Sequence, residues 1–172
     1  MKSNDIFCKL YDVWKKEEGK IIFENEHAYA ILSVTPATPG HSIVIAKEHV
    51  ERLEDLRGAE LEGFVDAIPA TAQAIRDIYD ADPERIVRFY RSLRADPRPA
   101  DENVRKKIVE KATKMLQNKY LRLKPDRIAY NIGINVGEYA GQTVDHLHAQ
   151  LFPRRERGPG IVTAMEQSFE NN

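Results

Sequence analysis

His146, His148 and Gln150 alternate with Leu147, Ala149 and Leu151 near the end of the chain. On a β-strand this period of two sends two imidazoles and an amide to one face and three apolar side chains to the other. With an unperturbed pKa of about 6.5, imidazole can act as base, acid, metal ligand or nucleophile. Residues i and i+2 of a strand stand roughly 6.5–7 Å apart, close enough to bracket one phosphate group or to share a metal ion. A structural zinc site takes four ligands. Beyond this pair the chain offers only Cys8 and three further histidines, with no Cys-x-x-Cys. The phosphate reading is therefore the stronger one.

The elements that must hold these residues follow from hydrophobic spacing. Ile6, Leu10, Val13 and Trp14 make a short amphipathic opening within 6–16. Ile21 to Phe23, Ala28 to Val34 and His41 to Ala46 read as three strands, separated by Asn25-Glu26 and by a Pro36, Pro39, Gly40 loop. Leu61, Phe64, Val65, Ile68, Ala72, Ile75 and Tyr79 then form one helical stripe, with Pro69 expected to kink or split it. A short helix is expected over 85–94, followed by a loop at 96–99. A second long helix starts at Asp101 as N-cap and carries Val104, Ile108, Ala112, Met115 and Leu116. Alternation returns at Ile128, Tyr130, Ile132, Ile134 and Val136, before the histidine strand, Asp145 to Phe152. Strands, helices, then two strands make an α+β fold: an antiparallel meander with packed helices and a helical insertion before the last two strands. The expected domain is 1–157, including a basic insertion over 84–124, with 158–172 as a loosely attached tail.

Bulk properties narrow the functional class. The chain has 172 residues, 42% hydrophobic and 31% charged, which suits a single globular domain. No apolar run approaches the ~20 residues needed to span a bilayer, so no membrane association is expected. The N-terminus lacks the apolar core of a signal peptide, and Cys8 is the lone cysteine, which together point to the cytoplasm. The net charge of −1 hides a basic stretch from Glu84 to Arg127, with 14 Lys/Arg against 6 Asp/Glu. A solvated helical face accounts for it better than a nucleic-acid surface, which stays open without being favoured.

The run Gly141-Gln142-Thr143-Val144-Asp145 leads directly into His146-Leu147-His148-Ala149-Gln150-Leu151-Phe152. Upstream lie Ile21-Ile22-Phe23-Glu24 and Pro36-Ala37-Thr38-Pro39-Gly40-His41, then Lys47-Glu48-His49. These two regions, in this order, resemble the histidine triad superfamily, whose signature is His-φ-His-φ-His-φ-φ with φ apolar. The match covers roughly 5–80 and 127–157. The resemblance implies an enzyme that forms a nucleotidyl-histidine intermediate on the α-phosphate of a nucleotide. His148 would attack, His146 would bond around the same phosphate, and His41 would complete the polar network. Asn135, Gln142 and Thr143 match positions that touch ribose, phosphate and leaving group. Ser33 falls where the family binds ribose hydroxyls, and Ile22 and Phe23 match the apolar wall for a base. It further implies a purine nucleotide or dinucleoside polyphosphate as substrate, and a homodimer.

Departures from the pattern refine these expectations. Gln150 occupies the third histidine position; it can donate a hydrogen bond to a phosphate oxygen but cannot shuttle a proton. A phosphate acceptor is then favoured over water, as in the uridylyltransferase and diadenosine tetraphosphate phosphorylase branches that the His-x-His-x-Gln pattern resembles. The alternatives are a nucleotide phosphoramidate or dinucleoside polyphosphate hydrolase, and a nucleotide- or nucleic-acid-binding module with weak catalysis. Asp5-Ile6-Phe7-Cys8 keeps only the second cysteine of the family's Cys-Ile-Phe-Cys zinc element. No metal and no cofactor are expected.

Overall fold

The computed structural model describes residues 5–96, 101–123 and 129–170. The expected loop at 97–99 and the alternating residue Ile128 lie outside them. The helices are α1 (Ile6–Trp14), α2 (Gly58–Ala81), α3 (Glu84–Ala95), α4 (Glu102–Leu116) and α5 (Ile161–Glu170). The strands are β1 (Ile21–Glu24), β2 (Ala28–Leu32), β3 (Ser42–Ala46), β4 (Ala129–Gly133) and β5 (His148–Arg154). They form one antiparallel sheet in the order β1-β2-β3-β5-β4. The expected α+β meander with a helical insertion is what the chain folds into. Among the described residues no helix is long and apolar enough to cross a membrane.

Side-chain size sorts the two faces of the sheet. Ala28, Ala30, Val44, Ala46 and Ala149 pack with Phe64 and Ala67 of α2, small strand residues letting the helix approach closely. Tyr29, Ile31 and Ile45 join Phe7 and Trp14 of α1 in a second cluster. β2 is consequently buried along its whole length. Pro69 neither splits α2 nor ends it. The proline is exposed, and the Val65 carbonyl it leaves without a helical donor sits on the same wet side, Val65 being 48% exposed.

The insertion is part of this second core. Ile86, Val87, Phe89, Tyr90 and Leu93 of α3 pack with Ile108, Ala112 and Met115 of α4, while most of its Lys and Arg side chains face water. Asp101 caps α4 as expected, accepting from the Val104 N–H at 2.9 Å. Tyr90 reaches towards the sheet: its hydroxyl accepts from the Gly40 N–H at 3.1 Å, in the turn just before β3. Gly40 holds φ +81°, a backbone conformation that a side chain would strain, while a Cβ there would make only ordinary contact with Ile75 and Pro153.

Two boundaries move. β4 ends at Gly133, leaving Ile134 and Val136 beyond it, and β5 begins at His148, not at Asp145. β5 also runs on through Pro153, which pairs Tyr130 of β4 while the β3 ladder has already stopped at Leu151. The missing proline N–H is thus not needed by a β3 partner.

Candidate active site

His148 stands opposite Ile45, and Gln150 opposite Ile43, in the β3–β5 ladder. Only 5% of His148 is exposed, and the Phe7 ring meets it edge-on with centroids 5.1 Å apart. Its Nδ1 donates to the His146 backbone carbonyl at 2.8 Å. A carbonyl only accepts, so the neutral ring carries its proton on Nδ1 and its lone pair on Nε2. Nε2 has no partner among the described residues. Burial depresses the His148 pKa, a trend the carbonyl bond partly opposes. The ring therefore keeps its nucleophilic lone pair at neutral pH.

His41 and Gln150 form the second half of the site. The Ala37 N–H donates to His41 Nδ1 at 3.2 Å, so the proton sits on His41 Nε2 and is donated to Gln150 Oε1 at 2.7 Å. Burial lowers the His41 pKa to about 4, against a smaller opposing effect of the Gln150 bond, so the ring is neutral. With Oε1 committed to His41, the Gln150 amide turns its NH2 the other way. Phe152 stacks on His41 at 4.3 Å and fixes the ring plane. Ser33, His41, Asn135 and Gln150 line one cavity of about 650 Å³.

The other residues expected in the site are placed differently. Ile22 and Phe23 line a separate cleft with Trp14 and Gly19 and are not among the residues lining the cavity. Gln142 is committed to its own loop: Oε1 accepts from the Gly137 N–H at 2.6 Å, and Nε2 donates to the Val144 and Glu51 carbonyls. Thr143 is exposed beside it and lies outside the cavity lining. Asn135 donates to the Gly141 carbonyl at 3.2 Å, so this amide also shapes the loop.

His146 departs furthest from expectation. It does not share a strand face with His148, because the backbone leaves strand geometry just before β5. The Leu147 N–H bonds the Val50 carbonyl at 2.6 Å and the His146 N–H bonds the Val144 carbonyl at 2.7 Å. The ring turns under α1, where only 1% of the residue is exposed. Nε2 donates to the Ala46 carbonyl at 2.7 Å. Nδ1 then faces Asp5 Oδ2 at 3.1 Å, His49 Nδ1 at 3.4 Å and Cys8 Sγ at 3.8 Å. His146 still serves His148, through its main-chain carbonyl.

The Asp5, Cys8, His49 and His146 cluster was not anticipated. A lone pair on His146 Nδ1 cannot stably face the Asp5 carboxylate at this distance without a positive charge between them. A proton or a metal ion supplies one. One donor atom from each residue lies within 4.8 Å of the others. Tetrahedral zinc, with bonds of roughly 2.0–2.3 Å, needs a comparable spread. The O, S, N, N set therefore fits a divalent ion, although counting cysteines discounted one. Burial alone would raise the Asp5 carboxyl, but hydrogen bonds from Cys8 and His146 outweigh it and hold the group well below the usual carboxylate range. The sequence signal was an N-cap aspartate three residues before a cysteine, with Lys47-Glu48-His49 downstream.

Comparison with known proteins places these residues among relatives. The HIT domain pattern matches residues 15–157. The adenosine 5'-monophosphoramidase of Saccharomyces cerevisiae is 24% identical over 169 residues, covering 96% of this chain and 73% of the yeast protein. The AP-4-A phosphorylase of Mycobacterium tuberculosis is 27% identical over 151 residues, covering 86% of this chain and 52% of its own. A HIT family crystal structure from Bacillus subtilis superposes with a TM-score of 0.55 at 22% identity, covering 99% and 97% of the two chains.

Proposed function

The chain belongs to the HIT family, and on that premise we propose that it transfers a nucleotidyl group from a nucleotide to a phosphate acceptor by way of His148. The observation that carries this reading is the orientation of His148: Nδ1 tied to the His146 carbonyl, Nε2 without a partner among the described residues. In the first half-reaction the Nε2 lone pair attacks the α-phosphorus. An N–P bond forms, and the bond from phosphorus to the leaving-group oxygen breaks, its electron pair departing with that oxygen. The positive charge developing on the ring lies against the carbonyl dipole at Nδ1. In the second half-reaction a phosphate oxygen attacks the same phosphorus and the N–P bond breaks, returning the lone pair to Nε2.

Gln150 supports the choice of acceptor. Its NH2, turned away from His41, donates to a non-bridging oxygen, and nothing in the pair delivers a proton near neutral pH. A phosphate leaving group and a phosphate acceptor need little protonation there. The phosphorylase name of the mycobacterial relative agrees with this chemistry. The substrate class is then a purine nucleotide or dinucleoside polyphosphate. A bound divalent ion held by Asp5, Cys8, His49 and His146 would supply structural charge neutralisation, its four-donor set leaving no open position for substrate. A homodimer belongs to the same proposal and is supported by β4 standing at the outer edge of the sheet. A cytoplasmic location, resting on the single cysteine, belongs to it as well.

The second reading is hydrolysis of a nucleotide phosphoramidate or dinucleoside polyphosphate, and the name of the yeast relative favours it. Incubation with diadenosine tetraphosphate or adenosine phosphoramidate, with and without labelled inorganic phosphate, separates the two. Phosphate should accelerate turnover and its label should enter the nucleotide product. Release of AMP at a phosphate-independent rate would establish the hydrolase instead.

A further inference from the structure

Within the expected loose tail, Ile161–Glu170 form a helix, α5, just after Gly158-Pro159-Gly160. This helix leans over the cavity that contains His41 and Gln150. Gly160, Ile161, Ala164 and Met165 line the same space as Ile43 and Phe152. Positions 161, 164 and 165 share one side of a helix. Ile161 is 46% and Met165 52% exposed, against 71% for Val162 on the outer side. None of these α5 residues belongs to either hydrophobic core cluster. A ten-residue helix is marginal by itself in water, so its order depends on what it lies against. Here it lies against an opening of about 650 Å³, within the roughly 300–1,000 Å³ typical of small-molecule sites.

We propose that Ile161, Ala164 and Met165 are specificity-determining residues, forming the closing wall of the cavity against the nucleoside of the substrate. Building on the nucleotide reading of the site, the proposal assigns α5 as a lid that settles onto the sheet when that nucleoside is present. The occupant follows from the lining. Ile43 and Phe152 on the sheet side and Ile161 and Met165 on the helix side supply apolar surface, and Ser33, Asn131, Asn135, Gln150 and Arg154 line the same space. A flat heteroaromatic base carrying a polar sugar fits such a lining better than an aliphatic or a fully charged ligand.

The test uses the full chain and AMP as probe. Amide exchange over 161–170 should slow when AMP is saturating, together with exchange over β5. Met165→Ser and Ile161→Ser should each weaken AMP binding about tenfold, the loss expected when roughly half the burial of one large apolar side chain disappears. Val162→Ser, on the outer side, should leave affinity unchanged. Slower exchange over β5 with none over α5 would overturn the lid while leaving the nucleotide site intact. Absence of any AMP-dependent protection would overturn both. Protection of α5 that rises with protein concentration in the absence of AMP would assign the helix to a second copy and overturn the proposal.

Discussion

His146 and His148 are two residues apart and both touch the Phe7 ring, yet the fold gives them opposite tasks. Both are nearly buried, so burial does not distinguish them. What differs is the nitrogen left over. His148 spends Nδ1 on a carbonyl and leaves Nε2 without a partner among the described residues; His146 spends Nε2 on Ala46 and turns Nδ1 into a cluster with Asp5, Cys8 and His49. One ring keeps a nitrogen without a partner among the described residues, and the other ties α1 to the sheet. The lesson is that a histidine's role follows from which lone pair its main-chain partners leave exposed, more than from its place in a motif.

Substituting each histidine should separate the two tasks. His148→Ala should lower kcat by at least about 10³-fold and abolish covalent labelling by an α-phosphate-labelled nucleotide. His146→Ala should act first on stability, because its main-chain carbonyl remains to orient His148. A folded His146→Ala protein with no labelling would erase the distinction.

Gln150 probes the same side at smaller amplitude. In Gln150→Glu the carboxylate still accepts from His41 but repels phosphate oxygens, and the phosphate-dependent rate should fall about 10²-fold. Gln150→His should raise the hydrolysed fraction measured as AMP release.

The pH dependence of kcat/KM sharpens the contrast further. A depressed His148 pKa means the nucleophile stays neutral as pH falls below the ordinary imidazole value of about 6.5, so the acid limb should lie lower than that. A limb at or above it would remove His148 from the nucleophile's position.

The tethering side gives the smallest effects. Asp5→Ala removes the cap of α1 and should cost about 1–2 kcal/mol, a fall of roughly 2–8 °C in thermal midpoint for a chain of this size. Asp5→Asn keeps a capping oxygen and should cost less. In either variant a chelator should no longer lower the midpoint, whereas in the parent protein it should.

Much of this was readable where periodicity is strong and local. α1, the first three strands, α2 and the Asp101 cap follow from spacing and capping chemistry alone. The meeting of His41 with Gln150, on the face that also carries His148, was readable because two motifs converge there. The turning of His146 was not, since it depends on the Leu147 N–H finding the Val50 carbonyl across the fold. The cluster around it joins residues 141 and 97 positions apart, a proximity that no window of sequence displays. The loop partners of Gln142 were hidden for a related reason: an amide in sequence does not show which backbone groups it will bond. α5 was hidden behind its glycines and proline, although Ile161 and Met165 already carry an i, i+4 spacing.

The two oxygens of Asp5 also set an order of events during synthesis. Oδ1 accepts from the Phe7 and Cys8 N–H groups, contacts available as soon as the first turn leaves the ribosome. Oδ2 meets His146, and that partner emerges only after 141 further residues have been added. The first helix can therefore nucleate early and dock on Tyr29 and His49, while its last Asp5 contact waits for the turn before β5. A nascent chain stalled before His146 would carry an α1 already capped and tied to Tyr29 and His49 but lacking its third tie.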